Sequence, residues 1–351
     1  MTVVGRLGLA GLLGGVILTS SIPAASAQLV PVGDGRLQLT TSPLPINLIT
    51  EPGNIISTEL RIQNNGPTTE RLKISLLKFD AFGELGQPRL IEPTPQDTHM
   101  NWVSFSEPEF TVVPGQWKSL TATFNVPTDA AFGYYYAVVF SRVAETPQPG
   151  VTAVIGGTAI LVLLEARVPG ARREIAVDEF SVDKAWYEFL PVTFRVKLQN
   201  SGNVHVAPRG NIFIDRGSTS DVGIIEVNFQ KGNILPGSTR LFEALWEDGF
   251  PVYKKKIEND RVVTDAEGVA ELDLTWDFSQ AHKLRWGRYT ATMLLVYDDG
   301  QRDVPIEGKV SFWVIPWRMV LVLLVVALLV LMGMWGILRG VFRRATRERR
   351  Y

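Results

Sequence analysis

Residues 55–67 read IISTELRIQNNGP, and residues 133–140 read GYYYAVVF. In the first stretch Ile56, Thr58, Leu60 and Ile62 alternate with Ile55, Ser57, Glu59 and Arg61, and then Asn64-Asn65-Gly66-Pro67 turns the chain. A period of two closed by an Asn/Gly/Pro cluster is the mark of a half-buried strand running into a turn. The next run, Arg71 to Phe79, reads as its antiparallel partner. Ser119 to Val126 follows the turn at Pro114-Gly115, Tyr134 to Phe140 follows Gly133, and Thr158 to Arg167 is the last run before a Pro/Gly break. No 3.6-residue periodicity competes with these runs between Ile55 and Phe140. The region is therefore expected to be an all-β, immunoglobulin-like sandwich.

The same punctuation recurs further on. Arg61-Ile62-Gln63-Asn64-Asn65-Gly66 is echoed by Lys197-Leu198-Gln199-Asn200-Ser201-Gly202, Val113-Pro114-Gly115 by Leu235-Pro236-Gly237, and Phe132-Gly133-Tyr134-Tyr135 by Trp286-Gly287-Arg288-Tyr289. Two diverged copies of one sandwich are expected, residues 38–169 and 170–316, divided near Pro169-Gly170-Ala171-Arg172-Arg173. Residues 28–37 read as a leader. Two insertions are marked, Ala81 to Glu109 and Phe250 to Gly268.

Both ends carry targeting patterns. Arg6, the uncharged stretch Leu7 to Leu18 and the small-x-small triplet Ala25-Ser26-Ala27 predict a secretory signal over residues 1–27, cleaved so that the chain begins near Gln28. Met319 to Leu338 is an uncharged run of Leu and Val long enough to cross a lipid bilayer, with Trp313 and Trp317 before it and Trp335 near its far end. Arg339, Arg343, Arg344, Arg347, Arg349 and Arg350 follow. A membrane helix over 317–339 and a basic tail over 340–351 are expected, with the tail cytoplasmic and the rest outside a bacterial cell membrane.

The part between the two ends holds 27 basic and 35 acidic residues, a net charge of −8 that the tail arginines conceal in the whole-chain value of −1. A field of that sign disfavours nucleic acid as a partner. The absence of cysteine removes disulfides and a lipoprotein anchor, and no Asn-x-Ser/Thr acceptor occurs. His99, His205 and His282 lie far apart with no metal-ligand spacing, and no nucleophile elbow or phosphate loop is present. Asp298-Asp299-Gly300 lacks the spaced acids of a calcium loop and reads as a hairpin turn between Ala291 to Tyr297 and Val304 to Trp313. Neither an enzyme nor a cofactor is expected.

The aromatic run near Gly133 is more informative. Aligning Gly133 with Gly287 assigns Tyr135, Ala137 and Val139 to the core, beside Tyr289, Ala291 and Met293. The opposite face then carries Tyr134, Tyr136, Val138 and Phe140, where the second copy has Arg288, Thr290, Thr292 and Leu294. The neighbouring run Ala159-Ile160-Leu161-Val162-Leu163-Leu164 is apolar on both faces. Something must cover this edge: the insertion with Trp102 and Phe105, the second sandwich, or another protein. In the last case Tyr134, Tyr136, Val138 and Phe140 are partner-binding anchors.

With these parts assembled, the chain resembles the bacterial WxL-interacting proteins. The likeness is carried by the Asn64-Asn65-Gly66 turn, by Val113-Pro114-Gly115 ahead of Leu120 to Pro127, and by Gly133 to Phe140. It implies a surface protein whose first domain contacts peptidoglycan and whose second contacts a secreted, wall-associated protein. The expected function is a non-enzymatic scaffold linking a cell-wall polymer or wall-associated protein to the membrane. The alternative is an accessory, chaperone-like subunit of a membrane or secretion complex.

Overall fold

The computed structural model describes residues 37–143, 157–258, 260–265 and 268–348. The expected signal sequence, and the leader apart from Leu37, lie outside the described residues. The described chain is all-β and immunoglobulin-like, with one helix, α1 (Trp317–Glu348), at its end.

Ten strands form the first sheet pair: β1 (Leu39–Ser42), β2 (Ile46–Thr50), β3 (Ile55–Asn64), β4 (Glu70–Phe82), β5 (Gln87–Ile91), β6 (Val103–Phe105), β7 (Glu109–Val112), β8 (Trp117–Asn125), β9 (Phe132–Arg142) and β10 (Gly157–Ala166). One sheet runs β1-β3-β8-β6, and the other runs β2-β10-β9-β4 with β5 and β7 both on β4. Between them lie Leu60, Ile62, Leu72, Leu120, Phe124, Tyr136, Phe140, Ile160 and Leu164, none measurably exposed beyond 2%.

The expected β3–β4 hairpin does not form: β3 pairs with β1 and β8, and β4 pairs with β5, β7 and β9. The Asn-Asn-Gly turn instead carries the chain from one sheet to the other. Asn64 is fully buried at this corner, donating from Nδ2 to the carbonyls of Thr68 (2.6 Å) and Val112 (3.1 Å) and accepting from the Gly66 N–H (2.9 Å). A side chain that satisfies three buried backbone groups replaces the ladder bonds that a hairpin would have made.

The second sheet pair has β11 (Ile175–Val182), β12 (Trp186–Tyr187), β13 (Val192–Asn200), β14 (Arg209–Arg216), β15 (Thr219–Val227), β16 (Thr239–Trp246), β17 (Val252–Lys255), β18 (Ile257–Glu258), β19 (Arg261–Val262), β20 (Leu272–Thr275), β21 (Gly287–Asp298) and β22 (Asp303–Val314). A sheet β11-β13-β16 faces a sheet β12-β22-β21-β14-β15, and β17 to β20 form small ladders in the second insertion. In the core Tyr289 stacks on Phe312 (5.7 Å), with Trp246 edge-on to Tyr289 (5.3 Å) and Phe194 edge-on to Phe312 (5.7 Å). The Asp298-Asp299-Gly300 turn joins β21 to β22, as its sequence predicts.

The corner after β13 is built like the one after β3. Asn200 donates to the carbonyls of Val204 (2.8 Å) and Ile234 (2.9 Å), and accepts from the Gly202 N–H (2.9 Å). The N–H of Gly115 bonds the Asn64 carbonyl, and that of Gly237 bonds the Asn200 carbonyl. The two short sequence echoes thus meet at one corner in each sheet pair.

Candidate functional site

Strands β9 and β10 run antiparallel with Tyr135 opposite Leu163 and Ala137 opposite Leu161. Alternation sends Tyr136, Val138 and Phe140 into the first core, where each is fully buried, and Tyr134 packs against the same cluster. The face assignment made from Gly133 is therefore reversed: Tyr135, Ala137 and Val139 point outward. The core positions of β21 are Tyr289, Ala291 and Met293, so Tyr136, not Tyr135, corresponds to Tyr289. Three consecutive tyrosines hide the alternation, and one residue of slip turns every side chain to the other face.

The insertion covers one end of the inner face. Its 3-10 turn Thr98–Trp102 brings Met100 and Trp102 against the core, with Trp102 4.6 Å from the Tyr134 ring and the Tyr136 hydroxyl donating to the His99 carbonyl (3.3 Å).

The outer face meets the second sheet pair. Phe79, Ala137 and Leu163 bury themselves with Leu235, and Tyr135 sits edge-on to Phe79 (5.9 Å) and to His205 (5.8 Å). A Cβ on Gly133 would lie 2.3 Å from the Tyr135 hydroxyl, so a larger residue there must displace that ring. Burial lowers the His205 pKa to about 4, with the charge of Arg173 acting in the same direction. Arg173 itself donates from Nη2 to both carboxylate oxygens of Glu165 (2.6 Å to Oε2), a side chain only 2% exposed, close to where the chain crosses between the pairs.

A second bridge comes from the β4–β5 hairpin. Its tip turns on Gly83 and Gly86, both at positive φ, and the Glu84 carbonyl accepts from the Leu241 N–H (2.6 Å) while its carboxylate pairs with Lys197 (3.2 Å). On the far side Asn233 Nδ2 reaches Asn47 Oδ1 at 3.3 Å.

Between these bridges the outer face stays open as a cleft of about 510 Å³. Phe79, Leu161 and Leu163 floor it, Leu44, Pro45, Leu85 and Pro88 form its sides, and Asn233, Leu235 and Arg240 stand on the second sheet pair. Arg240 is the one cation in the lining. Its guanidinium donates to the Asn233 carbonyl (2.9 Å) and lies 5.3 Å over the Phe242 ring, and burial pushes its pKa down. Among the described residues no carboxylate lies within 4.0 Å of it. A desolvated cation in an apolar cleft attracts a carboxylate, and its planar fork suits bidentate recognition. The run Ala159 to Leu164 marked the floor in the sequence, whereas nothing in the sequence singled out Arg240.

Among the described residues no group of three or more His, Asp or Glu is placed to hold a metal. His99 packs among Trp102, Tyr134 and Tyr136, His205 against Tyr135, and His282 is exposed.

No family model and no curated protein matches the chain. Solved structures similar to it include the class 5 fimbriae chaperone CfaA, at 14% identity over 78% of this chain and 98% of that one, with a TM-score of 0.36. The CsuC–CsuE chaperone–tip adhesion subunit complex of Acinetobacter baumannii is similar at 12% identity, over 77% and 97%, with a TM-score of 0.34. The Pseudomonas aeruginosa CupB2 chaperone is similar at 10% identity, over 78% and 100%, with a TM-score of 0.32.

Proposed function

We propose that the chain is a non-enzymatic, membrane-anchored protein that holds an extracytoplasmic protein partner in the cleft between its two sheet pairs, as an accessory, chaperone-like subunit. The observation that carries this reading is the cleft: an apolar floor of Leu161, Leu163 and Phe79 beside the guanidinium of Arg240, which among the described residues has no carboxylate partner. Such a surface suits an extended peptide whose apolar side chains sit on the floor and whose acidic group meets the arginine. The membership in the WxL-interacting family suggested by the sequence is a separate proposal, and it places the same anchored architecture at the wall.

The test is site-specific photocrosslinking in the full-length chain, with the photoreactive residue at Leu44 or Leu85 and a control at Ile224, all exposed. Defined protein adducts are expected from the two cleft positions, reduced about tenfold or more by Arg240→Gln, as loss of a charge-assisted bond of roughly 1.5–3 kcal/mol requires. Adducts equal to those at Ile224, or insensitive to Arg240→Gln, overturn the reading.

A further inference from the structure

Tryptophan is unevenly placed in this molecule. Of nine in the chain, Trp102 is half-buried, Trp246 is core, Trp335 lies in α1 and Trp117 is exposed on β8 under Arg61, while the other five, Trp186, Trp276, Trp286, Trp313 and Trp317, are exposed and gather at one end of the second sheet pair. They come from four separate segments. Trp186 is in register with Trp313 across β12 and β22, and Trp286 precedes Gly287, which pairs with Val314. Trp276 stacks on Phe278 (6.1 Å) and leans on Phe189 (6.4 Å), two residues beyond Tyr187. Trp186 and Trp286 are each 59% exposed and Phe278 73%. Indole rings left so open in water forgo the burial that ordinarily disposes of them.

This is the end from which the apolar helix leaves. Only Ile315 and Pro316 separate β22 from α1, and the junction is tied down: the Trp313 N–H donates to the Ala185 carbonyl (3.0 Å), the Ile315 N–H to the Tyr187 carbonyl (2.7 Å), and Arg318 lies 3.5 Å from Glu188. These bonds tie the start of α1 to the sheet base. Cations are interleaved with the rings. Arg288 is opposite Trp313, Lys184 is exposed nearby, and the guanidinium carbons of Arg216 and Arg318 lie over Trp286 (5.1 Å) and Trp317 (5.3 Å).

We infer that this end of the second sheet pair is seated in the headgroup layer of the membrane that α1 crosses, with the tryptophans at the acyl boundary and Lys184, Arg216, Arg288 and Arg318 on lipid phosphates. The inference rests on reading α1 as a membrane span. Amphipathic rings and basic side chains concentrate at that depth in membrane proteins, and a short, bonded junction keeps the sheet base next to the start of the span. The helix then does more than tether. Two attachments, one through the bilayer and one along its surface, fix the tilt of the sheet pair and hence the direction in which the cleft opens.

The chain has no cysteine, so single-cysteine variants of the full-length protein can be labelled uniquely. Lys184→Cys and Arg288→Cys keep every tryptophan. Asp299→Cys marks the opposite end, in the β21–β22 turn, and Leu328→Cys marks the span. Each is labelled with an environment-sensitive fluorophore and reconstituted in vesicles of phosphatidylcholine and phosphatidylglycerol. Lipid spin labels placed shallow or deep in the bilayer are compared with an aqueous quencher.

The expected result is shallow-label quenching at positions 184 and 288 at least about twofold above that at 299, as interfacial residence demands, with deep-label quenching at 328. If 328 reads as lipid while 184 and 288 behave like 299, the inference is overturned and the span stands. If 184 and 288 are shielded from the aqueous quencher but untouched by lipid labels, protein covers this end and the inference is again overturned. If 328 reads as aqueous, the span reading fails and takes the inference with it.

Discussion

His205 lies under Tyr135 with its Nδ1 lacking a hydrogen-bond partner, and Arg173 and Glu165 are the charged groups of the same junction. Burial, then the Arg173 charge, keeps this imidazole neutral, with a pKa of about 4 against an ordinary value near 6.5. The unfolded chain therefore binds a proton between pH 6.5 and 4 that the folded chain refuses. Stability is whole above pH 6.5, falls as pH drops through that window, and is flat with respect to this group below pH 4. The loss is about 3 kcal/mol across the window, measurable as a falling denaturation midpoint, and His205→Phe should flatten it. An unchanged pH profile in His205→Phe would show that the group does not set acid stability. None of this was legible in the sequence, where His205 is one of three scattered histidines. The same holds for Tyr134-Tyr135-Tyr136: identical neighbours carry no alternation, so only the partner strands β4 and β10 decide which ring faces inward.

Strand existence was far easier to read than strand pairing. The runs expected at 55–62, 71–79, 119–126, 134–140 and 158–167 all form, because period-two patterning and turn residues are local signals. The expected β3–β4 pairing failed because Asn-Asn-Gly specifies a tight turn without saying whether the chain stays in its sheet. That choice is made by Asn64, whose Nδ2 reaches Val112 across 48 residues. The equivalent bond from Asn200 reaches Ile234. Since each side chain satisfies three buried backbone groups, Asn64→Ala and Asn200→Ala should each cost about 2–3 kcal/mol. The two sites belong to separate core clusters, so the double variant should lose the sum of the single losses. Chemical denaturation of the four proteins checks this. A negligible cost at Asn200 with a full cost at Asn64 would mean that the two corners are alike in form only.

At the scale of the molecule, the legible features were those encoded in composition over many residues: the β content, the acidic exterior and the apolar helix. The cleft and the tryptophan end were legible only in fragments, the run Ala159 to Leu164 and the pair Trp313 and Trp317, because they are assembled from segments as distant as Leu44 and Arg240, or Trp186 and Trp313, once the sheets have packed. Orientation is the remaining whole-chain property. The described helix has 23 residues, Trp317–Arg339, apolar enough to cross a membrane, about 34 Å at 1.5 Å per residue against a hydrocarbon core of about 30 Å. Six arginines follow Leu338, whereas residues 28–316 have a net charge of −8. On the proposed reading the clustered Arg next to the span is cytoplasmic and the sheet pairs lie outside, the side on which a secretory signal would deliver them. Protease added to intact spheroplasts should therefore digest Leu37 to Pro316 and leave a protected fragment containing the helix and tail, while lysed cells should lose the tail too. Replacing the arginines at 343, 344, 347, 349 and 350 by Ser should weaken this asymmetry. A tail that is digested in intact cells while the sheet pairs survive would reverse the orientation and turn the cleft toward the cytoplasm.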